Sequence, residues 1–224
     1  MGFKIAIDGP AGAGKSTVAK RTAAEEGFIY VDTGAMYRAV ALNLLRNGAD
    51  LCDEEDCRRF LPETEVTIRH DEEGTQQVIL NGEDVSRVIR TQEVSDAASR
   101  TSAYPAVREK LLMLQRSLAE EADVLMDGRD IGTVILPDAE LKIFLTADAR
   151  VRAKRRFDEL TAAGQECVFD DILKEIIERD ERDMNREISP LRQAEDAVVV
   201  DTSYMGIDEV VARIRELIRE RREK

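Results

Sequence analysis

Short β-branched runs alternate with longer amphipathic stretches along this chain. Five largely apolar runs predict buried strands at 4–8, 28–32, 123–127, 141–146 and 197–201. Helical periodicity predicts helices at 15–26, 35–47, 105–121, 149–163, 170–186 and 208–222. This alternation predicts an α/β fold, in which helices cover both faces of a parallel sheet of five strands.

One segment departs from that rhythm. Two runs at 65–70 and 76–80, joined by the turn-rich residues 71–74 and followed by Asn81-Gly82, predict an antiparallel hairpin and a further turn. We expect a small β insert over about 61–90, between the second and third strands of the main sheet.

A glycine-rich loop separates the first strand from the first helix. It matches the phosphate-loop motif G-x-x-x-x-G-K-[ST] in the strand–loop–helix context that the motif requires. Its backbone N–H groups form an anion nest at the positive end of the helix, which predicts nucleoside triphosphate binding. We expect Lys15 to bridge the β- and γ-phosphates and the Ser16 hydroxyl to bind Mg²⁺. The motif comprises Gly9, Pro10, Ala11, Gly12, Ala13, Gly14, Lys15, Ser16 and Thr17.

Composition narrows the function classes. The 33 basic and 46 acidic residues give a net charge of −13, which argues against a general nucleic-acid coat. Aromatic residues make up 4% of the chain and tryptophan is absent, which disfavours a base-stacking surface. We find no apolar run long enough for a membrane span and no signal peptide at the N-terminus. The three cysteines lack CxxC spacing, so we expect free thiols, no zinc site and a cytoplasmic protein.

Carboxylates end three of the predicted strands, at Asp8, Asp32 and Asp127. Ligands of open parallel sheets gather beyond the carboxyl ends of the strands. Asp127 ends an apolar strand and is the candidate for ordering Mg²⁺ through its water shell. Each of the three aspartates is, on sequence alone, equally well explained as a strand-end cap.

The basic residues comprise 25 arginines and only 8 lysines. Arg38 and Arg129 each follow a strand end, where a planar guanidinium is suited to gripping phosphate. Three further residues share one narrow stripe near the end of the helix at 170–186, where the apolar pattern stops: Arg179, Asp183 and Arg186. A solvated face with ion pairs is the ordinary explanation, but the break in the apolar pattern favours entry into a polar cleft.

The run at 150–156 is the one dense basic block. We expect it, with Arg155, to form a lid over the ATP phosphates, and an RNA-binding patch is the alternative. His70 lies in the β insert, far in sequence from these loops, and we expect it on the surface.

Together these residues resemble the bacterial cytidylate kinase (CMP kinase) family of nucleoside monophosphate kinases. The matching stretches run from residue 5 to residue 201 and are GPAGAGKST, DTGAMYR, NGEDVS, IRTQEVSDAAS, DGRDIGTV, LKIFLTA and ERDERDMNR followed by SPL. DGRDIGTV and IRTQEVSDAAS are much more specific to this family than the phosphate loop. Some relatives have Ser where this chain has Thr33 and Gly where it has Ser16.

The resemblance implies a single P-loop kinase domain with a monophosphate-binding part at 33–103 and a lid at 148–186. It implies transfer of a phosphoryl group from ATP, with Mg²⁺, to CMP or dCMP. The catalytic residues it implies are Lys15, Asp127, Arg129 and Arg186. The expected substrate-binding residues are Arg38, Arg129 and Arg186 for the phosphate, Ser99, Arg108 and Asp130 for the base, and Arg179 and Asp183 for the ribose, together with Thr33.

The chemistry agrees with the resemblance. Cytosine presents an exocyclic amine where uracil presents a carbonyl, so a carboxylate such as Asp130 distinguishes the two bases. A UMP kinase on the same scaffold and a nucleotide-gated RNA-binding module are the alternatives. We expect a monomer, because no long exposed apolar stripe is evident.

Overall fold

The structure is a computed structural model that describes residues 2–72, 74–120 and 122–223. In chain order its elements are β1 (Lys4–Asp8), α1 (Lys15–Glu26), β2 (Ile29–Asp32), α2 (Thr33–Arg46), α3 (Glu54–Phe60), β3 (Val66–His70), β4 (Gln76–Leu80), β5 (Glu83–Asp84), a 3₁₀ turn (Val88–Arg90), α4 (Gln92–Thr101), α5 (Pro105–Ser117), β6 (Val124–Gly128), a π-helical turn (Ile131–Ile135), β7 (Leu141–Thr146), α6 (Ala149–Ala162), α7 (Phe169–Asn185), β8 (Val198–Asp201) and α8 (Ile207–Arg222).

The main sheet has five parallel strands in the order β2-β6-β1-β7-β8. Each lies within one residue of a predicted strand, so the predicted fold class is confirmed. Strand β1 leads into the glycine-rich loop, and β6 leads into the Gly128-Arg129 turn. These two strands are neighbours in the middle of the sheet. Their carboxyl ends therefore bring Asp8 and Asp127 to the same edge.

Side chains of each strand alternate between two apolar layers. Ile5 and Ile7 of β1 pack with α1 and α8, whereas Ala6 faces the layer formed with α2 and α5. Leu125 and Met126 of β6 divide in the same way. Both faces of the sheet are thus covered, which explains why its strands are continuously apolar in sequence.

The predicted β insert forms a separate antiparallel sheet in the order β3-β4-β5. It docks against the edge strand β2 through side chains. The Gln76 amide oxygen accepts from the Asp32 N–H (2.8 Å), and its NH₂ group donates to the Asp32 carbonyl (3.2 Å). His70 Nε2 donates to the Tyr30 carbonyl at 3.0 Å. The expectation of a surface histidine was therefore wrong, because His70 is half-buried against the main sheet.

The remaining differences lie in the helices. The sequence pattern did not indicate α3, α4 or the 3₁₀ turn, which are short. The helix predicted at 105–121 ends at Ser117 and continues as turns, and residues 73 and 121 of the predicted elements lie outside the described parts of the chain. The second helix begins at Thr33 because Asp32 caps it, accepting from the Ala35 N–H at 2.9 Å. None of the helices in the described ranges has the length and apolar character of a membrane span.

Truncation of a fully buried side chain tests the packing between α2 and the sheet. Met36 is 0% exposed in the α2 layer, whereas Met113 on α5 is 72% exposed. We expect Met36→Ala to lower the free energy of unfolding by about 3 kcal/mol, through lost burial and a residual cavity. Met113→Ala is the matched control and should change it by less than about 0.5 kcal/mol. Urea unfolding curves measure both, and equal losses would contradict the assigned core.

Candidate active site

The glycine-rich loop opens α1 with its backbone directed toward a ligand. Gly14 is the N-cap residue, with φ of 89°, and no side chain caps the helix. The first N–H groups of α1 are therefore free of side-chain acceptors, as in an anion site. A Cβ at Gly9 would lie 1.9 Å from the Leu145 carbonyl oxygen, so only glycine lets the loop pass this close to β7.

Lys15 lies folded over the loop, where its Nζ donates to the Pro10 carbonyl at 2.8 Å. Burial and the charge of Arg129 lower the pKa of its ammonium well below the usual range, although nearby Asp127 and Asp183 oppose this. A buried cation with an incomplete set of acceptors is suited to an anionic ligand.

Asp127 is the centre of the predicted metal site. Ser16 Oγ donates to Asp127 Oδ2 at 2.9 Å, and Tyr30 Oη donates to Asp127 Oδ1 at 2.8 Å. Burial and the charge of Asp32 raise the pKa of Asp127 to about 6, whereas Lys15 and the two hydroxyl groups lower it. Thr33 also lies here, since its Oγ1 donates to the Asp127 carbonyl at 2.8 Å.

Asp8 has a different role from Asp127. Its two carboxylate oxygens accept from the N–H groups of Ile131 and Gly132, each at 2.8 Å. Asp8 thus holds the segment after β6 and does not face Ser16 in the way that Asp127 does. Burial raises the pKa of Asp8 to about 7, against the two backbone N–H groups, which lower it.

A polar group joins α4, α5 and the segment after β6. Arg108 pairs with Asp130, and Arg108 Nη1 donates to the Ser102 carbonyl at 2.9 Å. The Tyr37 ring centroid lies 5.3 Å from the Arg108 guanidinium carbon. The Ser99 hydroxyl is buried and has no hydrogen-bond partner in the described structure. Two of the residues predicted for the base, Arg108 and Asp130, are therefore in contact, and the third has unused hydrogen-bonding capacity.

An arginine cluster adjoins this group. Arg38 donates to Asp32 (2.9 Å), Arg129 Nε donates to Asp183 Oδ2 (2.9 Å), and Arg186 Nη2 lies 3.8 Å from Asp130 Oδ1. In the described part of the chain, three of the cluster's buried guanidinium nitrogens lack a hydrogen-bond partner: Arg38 Nε, Arg179 Nε and Arg186 Nη2.

Mutual repulsion is visible in the pKa values of the cluster. Burial and the charges of Arg129 and Arg38 lower the pKa of Arg179 to about 10. Burial and the charge of Arg108 lower the pKa of Arg186 as well. Burial raises the pKa of Asp183, but the surrounding arginines outweigh it and hold that pKa below its usual value. The cluster therefore has an excess of buried positive charge, which an anion would offset.

The basic run at 150–156 is not a continuous surface. Arg152 is buried and pairs with Asp180 of α7, and its Nη1 also donates to the Ala11 carbonyl of the glycine-rich loop at 2.9 Å. Arg155 donates to Thr202, whose hydroxyl donates to the Ala13 carbonyl at 3.3 Å. Both arginines thus contact or adjoin the phosphate loop, which disfavours the RNA patch.

Sequence reasoning missed several of these residues. Tyr30 lies within an apolar strand, and only its pairing with Asp127 on the neighbouring strand reveals a polar role. Arg152 and Asp180 are 28 positions apart, and no local pattern links them. Arg179 Nη1 lies 3.3 Å from Ser95 Oγ, on a helix that the pattern did not predict.

The loop and the adjoining arginine cluster lie at the carboxyl edge of a parallel sheet, an arrangement suited to two anions side by side. That arrangement defines the class, a P-loop kinase that acts on a phosphorylated small molecule. A solved structure of an uncharacterized protein from Eubacterium ventriosum shares the fold, with a TM-score of 0.52 and 15% identity over 96% of this chain and 98% of that chain.

Sequence comparison identifies the family. Residues 5–220 match the family described as cytidylate kinase. The chain is 51% identical over 216 residues to the cytidylate kinase of Carboxydothermus hydrogenoformans, covering 96% of this chain and 97% of that protein. It is 52% identical over 210 residues to the cytidylate kinase of Pelotomaculum thermopropionicum, covering 94% and 93%. The chain belongs to the cytidylate kinase family and is an ATP-dependent nucleoside monophosphate kinase.

The buried carboxyl of Asp8 predicts a pH dependence of stability. Because its pKa rises from 3.8 in the unfolded chain to about 7 in the folded protein, the folded state holds a proton that the unfolded state has lost between these values. The contribution of Asp8 to stability therefore falls as the pH rises from about 4 to about 7, by on the order of 3 kcal/mol.

Denaturant unfolding of the wild type and of Asp8→Asn at several pH values measures this contribution. The stability of the wild type relative to the variant should fall over that interval. A constant difference would show that the Asp8 carboxyl titrates normally.

Proposed function

We propose that this protein transfers the γ-phosphoryl group of ATP to CMP or dCMP, and that the residues described above bind the two nucleotides. The observation that carries the proposal is the group of three buried arginine nitrogens without partners, beside a phosphate loop. A phosphorylated acceptor supplies the oxygen atoms that these nitrogens lack.

The acceptor phosphate would bind to Arg38, Arg129 and Arg186. Arg38 is fixed by Asp32 and Arg129 by Asp183, so each guanidinium keeps one side in an ion pair and offers its remaining N–H groups. Planar guanidinium groups hold phosphate through paired hydrogen bonds. Arg179 and Asp183, at the same place, are suited to the hydroxyl groups of the ribose.

The base would bind against Ser99, Arg108 and Asp130. Asp130 accepts from the exocyclic amine of cytosine, whereas Ser99 and Arg108 donate to its ring nitrogen and carbonyl. Uracil presents a carbonyl in place of that amine, and a carboxylate repels it. The burial of Asp130 strengthens the discrimination, because water cannot replace the lost partner.

The donor triphosphate would lie along the glycine-rich loop and Lys15, with Arg155 near its outer end. Ser16 and Asp127 fit Mg²⁺, since a hydroxyl and a carboxylate oxygen lie 2.9 Å apart beside the nest and Mg²⁺ prefers oxygen ligands. When bound, Mg²⁺ would neutralise charge on the β- and γ-phosphates.

The transfer step requires no general base. The second pKa of a phosphate monoester is about 6, so the attacking oxygen of CMP is already ionised at neutral pH. That oxygen forms a bond to the γ-phosphorus, the bond to the bridging β–γ oxygen breaks, and ADP leaves with the electron pair. Lys15 and the arginines stabilise the charge that spreads over the transferring group.

Movement of two parts of the chain is included in the proposal. Residues 33–103, with the β insert, would close on the acceptor, and a lid at 148–186 would close on the donor. A cytoplasmic location and a monomeric state stay predictions.

Removal of the lysine ammonium tests the donor site. We expect Lys15→Ala to lower kcat by at least about 1000-fold, because the charge on the transferring phosphoryl group loses its nearest cation. Lys20→Ala is the matched control, since Lys20 lies on the exposed face of the same helix. A coupled assay of ADP formation measures both, and wild-type turnover in Lys15→Ala would refute the assigned donor site.

Acceptor selectivity tests the base site. Initial rates with CMP, dCMP, UMP and AMP should show a strong preference for the two cytidine nucleotides. Asp130→Ala should lower the ratio of kcat/KM for CMP to that for UMP by about 100-fold, because the carboxylate that accepts from the amine is gone. Asp138→Ala, at an exposed position nearby, should leave the ratio unchanged. A preference of the wild type for UMP over CMP would refute the proposal.

A further inference from the structure

Asp8 is a buried titratable group that the transfer step does not use. It ends β1, the central strand of the main sheet, and the glycine-rich loop starts at the next residue. Its position alone indicates a role in holding that loop. Its contacts do not, because within the described structure both carboxylate oxygens accept from Ile131 and Gly132, which follow β6.

Ile131 and Gly132 begin the π-helical turn that follows Asp130. Asp130 occupies the N-cap position, where an aspartate ordinarily accepts from the first free N–H groups of its own helix. Here it makes no such bond, and its backbone has φ of −142° and ψ of 25°. An N-cap side chain accepts from the N–H of the second or third helical residue, and that of the second residue, Gly132, is bonded to Asp8 instead.

Because Asp8 caps the turn in place of Asp130, the Asp130 carboxylate is available to other partners. Asp130 pairs with Arg108, and its Oδ1 lies 3.8 Å from Arg186 Nη2, so it faces the proposed acceptor site and not its own backbone. Gly132 is close-packed at the same point, since a Cβ there would lie 3.1 Å from Lys142 Cδ and 3.3 Å from Asp8 Oδ2. The turn is therefore pressed against the Asp8 carboxylate.

We propose that Asp8 is a positioning residue for acceptor selectivity: it caps the turn after β6 from the neighbouring strand and so keeps the Asp130 carboxylate directed at the base. Without Asp8, the unpaired N–H groups of Ile131 and Gly132 recruit Asp130 as an ordinary cap, and the base loses its acceptor. The inference rests on the proposed role of Asp130 in reading cytosine.

Selectivity is the measurement that separates this role from a merely structural one. Asp8→Asn keeps one carbonyl oxygen and loses the other acceptor, so it should lower the ratio of kcat/KM for CMP to that for UMP by about tenfold. The change should come from a higher KM for CMP, while KM for ATP stays within about twofold. Asp8→Ala loses both acceptors and should approach the selectivity of Asp130→Ala.

A double variant tests whether Asp8 acts through Asp130. We expect Asp8→Asn combined with Asp130→Ala to show the same ratio as Asp130→Ala alone, because the positioned group is already absent. Asp201→Asn is the matched control, since Asp201 also ends a strand of the main sheet, the edge strand β8, and its carboxylate accepts from the Ser203 N–H. It should leave the ratio unchanged.

The outcomes distinguish this inference from the proposed function. If Asp130→Ala keeps the wild-type ratio, the base-reading role of Asp130 is refuted, and the inference with it. If Asp130→Ala loses selectivity but Asp8→Asn keeps it, or if the two losses add in the double variant, only the inference is overturned. If thermal unfolding shows that Asp8→Ala is not folded, Asp8→Asn decides the question, since it preserves the volume of the side chain.

Discussion

Concentration of buried positive charge at one edge of the sheet is the constraint on which the rest of this structure depends. An isolated buried charge is costly, and ion pairs offset part of this positive charge. Arg108 pairs with Asp130, Arg129 with Asp183, and Arg152 with Asp180. Each of these carboxylates lies at least 22 positions from its arginine in the chain. Folding therefore assembles the arginine cluster and offsets part of its charge in the same step, and the remaining surplus of positive charge is suited to an anion.

The central strands connect the two halves of that site. β1 leads directly into the glycine-rich loop, and β6 leads into the segment that contains Arg129 and Asp130. Because these strands are hydrogen-bonded neighbours, Ser16 reaches Asp127, and Asp8 reaches the turn after Asp130. A kinase must hold its two substrates within bonding distance in a fixed orientation. The backbone hydrogen bonds between β1 and β6 fix the relative position of the two segments that follow these strands. The backbone of a sheet is less mobile than side chains.

Local patterns were sufficient for the main sheet and the donor loop. Apolar runs identify strands that are buried on both faces, and the glycine–lysine motif is contiguous, so its chemistry is readable without a fold. The helices α3 and α4 escaped prediction because they are short and each contains few large apolar residues. The roles of Tyr30, His70 and Arg152 escaped because each contacts a partner that is distant in sequence.

The sequence by itself determined the fold class, the nucleotide loop and, through its motifs, the family and the residues expected to hold each substrate. Only the tertiary structure decided the role of each strand-end carboxylate. Asp8, Asp32 and Asp127 are equivalent as strand-end aspartates in the sequence, yet one caps a turn across strands, one caps its own helix and fixes Arg38, and one faces Ser16. The reason is that a carboxylate takes its function from the donors around it, and strand order, not chain order, selects those donors.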